Sequence, residues 1–360
     1  MIISVRISTA CKKALDELIR GGSYSSHSEA IELAVQNLAT LHEEFGESKT
    51  WMIHTKKREE EVPTSGTPHT EAPEATGTML FSPPGAPPKG LATHQNPKRP
   101  SHTPDQVDPT TWVFGQFNRI LPAKASCRAI CNMLKPGSPL PLEQTGMLIA
   151  ERAATLGDNL RDIDIACKFK DDMSISTAFP SNRKNESKSK LRFARQFVGM
   201  TNKAGRLSGL LSELQFLTLS KGSETGVVPT AAGWEFARLP NPVLDRGDDD
   251  IDRKFSKDEI DFLVRHIQNN VTHETEAYQL ILTAITSGSN SPEKIDQAIR
   301  EAMPSERRSS LGDPFLATQR SGAISRLADL QLIIRRRNGI RMSYEVSAAG
   351  KQFISQRGKS

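Results

Sequence analysis

The sequence predicts a mainly α-helical chain with small β elements, arranged as folded parts on either side of a proline-rich stretch that stays unstructured. Three observations predict this. The first forty residues switch from a period-two to a helical pattern of apolar residues. Eleven of the twenty-two prolines crowd between Pro63 and Pro109. Beyond them, a grammar of helices, hairpin and short closing helix ends near Leu239 and returns about 116 residues later, which marks an internal repeat.

In Ile3-Ser4-Val5-Arg6-Ile7 apolar and polar residues alternate, so Ile3, Val5 and Ile7 face a core while Ile2, Ser4 and Arg6 face outward. Ser8 or Thr9 caps a helix whose apolar face is Cys11, Leu15 and Leu18, and Gly21-Gly22 ends it. Ser26-His27-Ser28-Glu29 fits a capping box for a second helix lined by Ile31, Ala34, Val35, Leu38 and Leu41. A lone strand has two open edges, and so short a unit buries little apolar surface, so pairing with a second copy is expected. Strand, helix and helix in this order resemble the ribbon-helix-helix repressor superfamily, whose dimer lays a two-stranded ribbon in the major groove of DNA. The resemblance implies that Ser4 and Arg6 touch base edges while the helix start at Ser26, His27 and Ser28 holds a phosphate. Free N–H groups and the helix dipole favour an anion there in any case. Residues 1–45 are thus expected to be a homodimerising, DNA-binding unit.

From Glu43 the pattern dissolves into the charged run Lys56-Lys57-Arg58-Glu59-Glu60-Glu61 and then the prolines, so residues 46–110 are expected to be a disordered linker. Such a tether has an r.m.s. span on the order of 40–50 Å. The net charge of +5 and pI near 9 favour polyanionic partners. No long apolar run occurs and Met1-Ile2-Ile3 does not start a signal peptide, so neither a membrane nor export is expected, and the chain is read as cytoplasmic. Its four cysteines are too scattered for a disulfide framework; Cys127 and Cys131, four apart, lack a second pair to complete a zinc site and are read as packing residues.

Folded sequence resumes near Trp112. Helical periodicity in Leu142 to Leu156, Leu160 to Phe169 and the stretch Leu207, Leu210, Leu211, Leu214 leads into a turn-rich Lys221 to Gly226, then Val227-Val228-Pro229-Thr230, then a helix from Ala231. In the second pass, Glu213-Leu214-Gln215-Phe216 recurs as Asp329-Leu330-Gln331-Leu332, and Ala231-Ala232-Gly233 with Phe236 recurs as Ala348-Ala349-Gly350 with Phe353, with a one-residue shift in the hairpin. Its helices run from Ser256, with Glu259 completing a capping box, through Ile267, from Glu274 to Ile285, and from Pro292 to Met303. Its hairpin pairs Ile333 to Arg337 with Ile340 to Val346 across Asn338-Gly339. Both copies resemble the winged-helix family of prokaryotic regulators, and residues 111–245 and 246–360 are read as two tandem winged-helix domains.

Charge singles out two surfaces. Between Arg183 and Arg206 eight basic residues stand against one acid, Glu186, a net of +7. A helix through Leu191 to Val198 and another through Lys203 to Leu214 would turn Leu207, Leu211 and Leu214 inward and leave Lys203, Arg206 and Ser208 facing solvent or a groove; with Lys188, Lys190 and Arg192 they belong to a basic patch in which each phosphate neutralised releases a counterion. In the second copy Arg335, Arg336, Arg337 and Arg341 put four cations on the hairpin, though alternation splits Arg336 from Arg335 and Arg337. The helix before it packs Ile324, Leu327 and Leu330, leaving Arg320, Ser325 and Arg326 as its outward candidates. Basic wings that contact backbone or minor groove are what the family resemblance implies.

Enzyme signatures are missing: Gly358-Lys359-Ser360 looks like the end of a phosphate-binding loop, but Phe353 stands where its first glycine belongs. Asp248-Asp249-Asp250 with Asp252 reads as a solvated connector. The expectation is a dimeric, sequence-specific binder of double-stranded DNA, without catalysis, metal or cofactor, acting as a transcription regulator. The alternatives are a replication-initiation or partition protein of a mobile element, by analogy of fold, and a protein–protein adaptor with winged-helix folds.

Overall fold

The computed structural model describes Lys12, Asp16 and residues 79–88, 107–135, 138–169, 173–182, 186–202, 204–220, 226–245, 253–308, 310–339 and 341–355. The N-terminal unit, with Ser4, Arg6, Ser26, His27 and Ser28, lies outside these but for Lys12 and Asp16, and Lys203 also lies outside. The described chain is mainly helical with small sheets, as expected.

The first copy begins with α1 (Ile120–Met133), twelve of whose fourteen residues are buried, so it is a core helix covered on every side. Then come β1 (Leu140–Pro141), α2 (Leu142–Ala166) and α3 (Glu186–Phe193), the last running on as one wide turn, Ala194–Val198. Where the apolar spacing predicts two helices from Leu142 to Phe169, α2 is continuous. A small hairpin of β2 (Met200–Thr201) and β3 (Leu207–Ser208) follows, then the one-turn α4 (Leu210–Glu213), β4 (Leu217–Leu219), β5 (Gly226–Pro229) and α5 (Ala231–Arg238). The sheet order is β1-β5-β4, antiparallel throughout, with Leu140 opposite Val227 and Leu219 opposite the same Val227.

The expected helix from Lys203 to Leu214 is thus a hairpin and a single helical turn. Gly199, Gly205 and Gly209 sit at φ of +140°, +70° and +135°, conformations that only glycine adopts cheaply, and the Asn202 side chain accepts the backbone N–H groups of Ala204 and Arg206, both at 3.0 Å. Three such positions in eleven residues break the helix that the leucines alone suggest.

The second copy consists of α6 (Lys257–Asn270), α7 (Thr272–Thr286), α8 (Pro292–Ala302), α9 (Ser305–Arg308), α10 (Asp313–Asp329), the hairpin β6 (Ile333–Asn338) and β7 (Arg341–Val346), and α11 (Ala348–Ser355). The capping box is present, Ser256 accepting from Glu259 N and Glu259 from Ser256 N. Asn338 pairs with Arg341, so the connection lies one residue beyond the expected Asn338-Gly339.

The repeat holds down to individual hydrogen bonds. Each helix before the hairpin ends on a glutamine in left-handed conformation, Gln215 at φ +60° and Gln331 at φ +57°. Thr230 Oγ1 donates to Gln215 O at 2.8 Å and Ser347 Oγ to Gln331 O at 2.7 Å, and both hydroxyls then accept the N–H of the glycine three residues on, Gly233 and Gly350. A Cβ on either glycine would overlap a carbonyl, that of Phe216 or of Leu332. The strand before the second helix recurs as a single bond: Tyr344 N donates to Asn290 O at 2.9 Å where Leu140 pairs with Val227.

Each copy clasps the other through the same corner. Asp329, the last residue of α10, accepts the N–H of Ile120 at 3.2 Å and so satisfies a free donor at the start of α1, while its counterpart Glu213, the last residue of α4, lies 3.8 Å from His273 near the start of α7. Between the copies Phe216, Phe236, Phe262 and His266 stack as one aromatic cluster. Beneath it Lys124 and Glu259, both fully buried, pair at 3.0 Å. Burial pulls the Lys124 ammonium down to about 8, against the attraction of Glu259, and pushes the Glu259 carboxyl up, against Lys124 and the N–H of Ser256.

Residues 79–88, expected to be unstructured linker, pack on the first copy, and 107–119 lie across the second. Phe81 is 4% exposed and Trp112 2% exposed.

Candidate nucleic-acid interface

The basic stretch of the first copy is built on α3. Phe193, Ala194, Phe197 and Val198 turn inward, with the Phe193 ring 6.0 Å from Phe179 and 5.1 Å from Phe197. Gly146 of α2 lets the two helices approach until a Cβ there would lie 3.3 Å from that of Ala194. The opposite face leaves Lys188, Leu191 and Arg192 exposed, while Lys190 is partly covered and paired with Glu186 one turn back. Arg206 is exposed at the end of the β2–β3 hairpin, held there by the Asn202 turn. Ser208, expected on a helix face, is instead a half-buried strand residue opposite Met200. One continuous helix-and-hairpin segment thus presents Lys188, Arg192 and Arg206 to solvent, and among the described residues none of the three has an acidic partner. Such a surface suits phosphates, each cation acting as a point of contact with no fixed base geometry.

The second copy differs. Ser325 and Arg326, expected to face outward, are buried. Arg326 forms a two-pronged pair with Glu274, at 2.6 and 3.2 Å, and donates to Phe117 O and Val113 O. Burial disfavours its charge, but Glu274 more than offsets this and the guanidinium is held charged. The cause is the segment before α1: Gly115 N donates to Gln319 Oε1 at 2.5 Å, and a Cβ on Gly322 would overlap the Gly115 backbone, so α10 is covered on the side that the leucine stripe leaves open. Arg320 is tied to Asp296 at 2.8 Å, whose carboxyl burial pushes up in spite of that arginine. On the hairpin, Arg335 turns in and donates to Ser325 Oγ at 3.0 Å. Arg336 pairs across the strands with Glu345 at 3.2 Å, and Arg337 and Arg341 are exposed at the tip. The alternation that separates Arg336 from Arg335 is therefore real.

Two groups that hold this part of the body together carry little signal in the sequence. Lys124 and Arg128, four apart on α1, close the C-terminus of α5: Lys124 donates to the carbonyls of Phe236 and Leu239, Arg128 to those of Ala237 and Leu239 and to Asp245. Two cations within an otherwise apolar helix are the only sign of them. The other group is the set of donors that holds residues 79–88.

Among the described residues no cluster of three or more His, Cys, Asp and Glu side chains could hold a metal ion, and no helix is long and apolar enough to cross a membrane. Comparison of the chain with protein-family models, with curated proteins and with solved structures gives no match.

Proposed function

We propose that the chain is a DNA-binding protein of the transcription-regulator kind, in which a ribbon-helix-helix unit at residues 1–45 dimerises and reads base edges through Ser4 and Arg6, and two winged-helix units form the body. The observation that carries the reading is the exposed cationic segment Lys188, Arg192 and Arg206, with the Arg337 and Arg341 tip as a second contact. The strand order β1-β5-β4, with a helix on either side of β1 and the hairpin between α4 and α5, supports the winged-helix assignment of the first copy. In this scheme the body contributes positioning contacts to phosphates and the N-terminal unit contributes sequence preference.

A second reading, in which the second unit serves contacts between proteins, is favoured by one observation: the helix that would enter a groove, α10, is covered along most of its length. The two readings separate in a titration of the full chain against labelled duplex DNA at several salt concentrations. DNA binding predicts an affinity that falls steeply with salt. Absence of binding to specific or scrambled duplex at low salt contradicts it and leaves the adaptor.

A further inference from the structure

Residues 79–88, which contain Pro83, Pro84, Pro87 and Pro88, are bound to the body as a ligand would be. Met79–Phe81 make a single 3-10 turn, and beyond it the prolines remove N–H groups, so residues 82–88 enter neither helix nor sheet and offer mainly carbonyl oxygens for recognition. The body meets these carbonyls with side-chain donors. Asn132 Nδ2 donates to Leu80 O at 3.0 Å and to Ser82 O at 2.8 Å, Arg128 Nη1 to Phe81 O at 3.0 Å, and Trp234 Nε1 to Gly85 O at 3.0 Å. Phe81 and Pro84 are buried while Gly85, Ala86 and Pro87 are exposed, a two-anchor pattern followed by spacers.

Two of the three donors, Arg128 and Trp234, are set independently of what they hold. Arg128 is fixed by Ala237 O, Leu239 O and Asp245, and Trp234 is a buried residue of α5. A cleft of about 490 Å³ continues beside Pro87 and Pro88 along Trp234 and Arg238. Aromatic-lined grooves with fixed donors are a general mode of binding proline-rich segments.

We propose that the α1–α5 face of the body is a binding site for proline-rich peptides carrying an aromatic anchor, and that in this chain the site is filled by residues 79–88. The site pins the tether partway along.

The test uses the full chain with Phe81→Ser and Pro84→Ser, which frees the site, and a fluorescein-labelled peptide of residues 79–88 followed by anisotropy. The freed chain is expected to bind the peptide at least tenfold more tightly than the unaltered chain, where the tethered segment competes at high effective concentration. A peptide with Gly85→Ala should bind like the parent, since a Cβ there meets open space, and a peptide with Phe81→Ser should not bind. Equal binding by freed and unaltered chains of the same helical circular dichroism overturns the proposal, as does undiminished binding of the Phe81→Ser peptide. If the freed chain loses helicity, Asn132→Ala in the otherwise unaltered chain decides. Asn132 is exposed, and its loss is expected to speed proteolysis within residues 79–88 several-fold while the body stays resistant. Unchanged cleavage there contradicts the proposal.

Discussion

The two copies of the repeat share a corner and differ in what leads into it. In both, a left-handed glutamine, a hydroxyl and a glycine lock the end of one helix to the start of the next. Ahead of that corner the second copy has the 17-residue helix α10, while the first has a wide turn, a hairpin and one helical turn. The broken version leaves Arg206 exposed, and the unbroken version is sealed beneath residues 107–119 with Arg326 inside. A duplicated frame has thus kept its backbone lock and diverged in whether the segment leading into it offers charge to solvent.

The largest effects should come from the buried pairs. Arg326→Met and Lys124→Met each leave a buried carboxylate without its cation, and each is expected to cost about 3–5 kcal/mol, read as a fall in the denaturant midpoint of the full chain. Arg192→Gln, on the exposed face, should stay within about 0.5 kcal/mol. Loss of Lys124 also removes the attraction that holds down Glu259, whose carboxyl burial already pushes up. A carboxyl with a raised folded-state pKa favours the folded state when protonated. That contribution is complete below the unfolded value of 4.5 and fades as pH rises through the folded one. Lys124→Met should therefore regain part of its lost stability on acidification from neutral pH toward pH 5. A deficit that is constant over this range would show that Glu259 is not the group left stranded.

Glycines give the next level of contrast. Gly322→Ala forces a Cβ into the Gly115 backbone and should cost about 2–3 kcal/mol. Gly205→Ala meets open space at φ +70° and should cost only the left-handed penalty of about 1–2 kcal/mol. Equal costs would mean that the seal over α10 contributes little. The smallest effect concerns the shared lock: Gln331→Gly relieves a left-handed side-chain residue and should raise stability by up to about 1 kcal/mol.

Local rules made part of this architecture legible. The Ser256 and Glu259 capping box, the helices from Glu274 and Pro292, and the recurrence of Leu214-Gln215 as Leu330-Gln331 all rest on neighbours within a few residues, and these stand in the structure. What was hidden depends on partners far along the chain. Nothing near Arg326 announces that Val113 and Phe117 cover it, some two hundred residues earlier. Gly199, Gly205 and Gly209 did announce a break, and the leucine spacing masked them. Likewise Pro83 to Pro88 read as linker by composition, while Phe81, an aromatic amid prolines, was the sign of an anchor.

DNA is expected to meet the first copy's open segment and not the second copy's sealed helix. Full-chain variants with Lys188, Lys190 and Arg192 replaced by Gln, and separately with Arg320→Gln, test this against specific and scrambled duplexes over a range of salt. The triple variant should weaken both duplexes alike and flatten the slope of log affinity against log salt by about 0.9 for each phosphate that is no longer neutralised. Arg320→Gln should leave the slope unchanged, because that guanidinium is held by Asp296. An unaltered slope in the triple variant, or a flattened one in Arg320→Gln, would contradict this placement of the DNA.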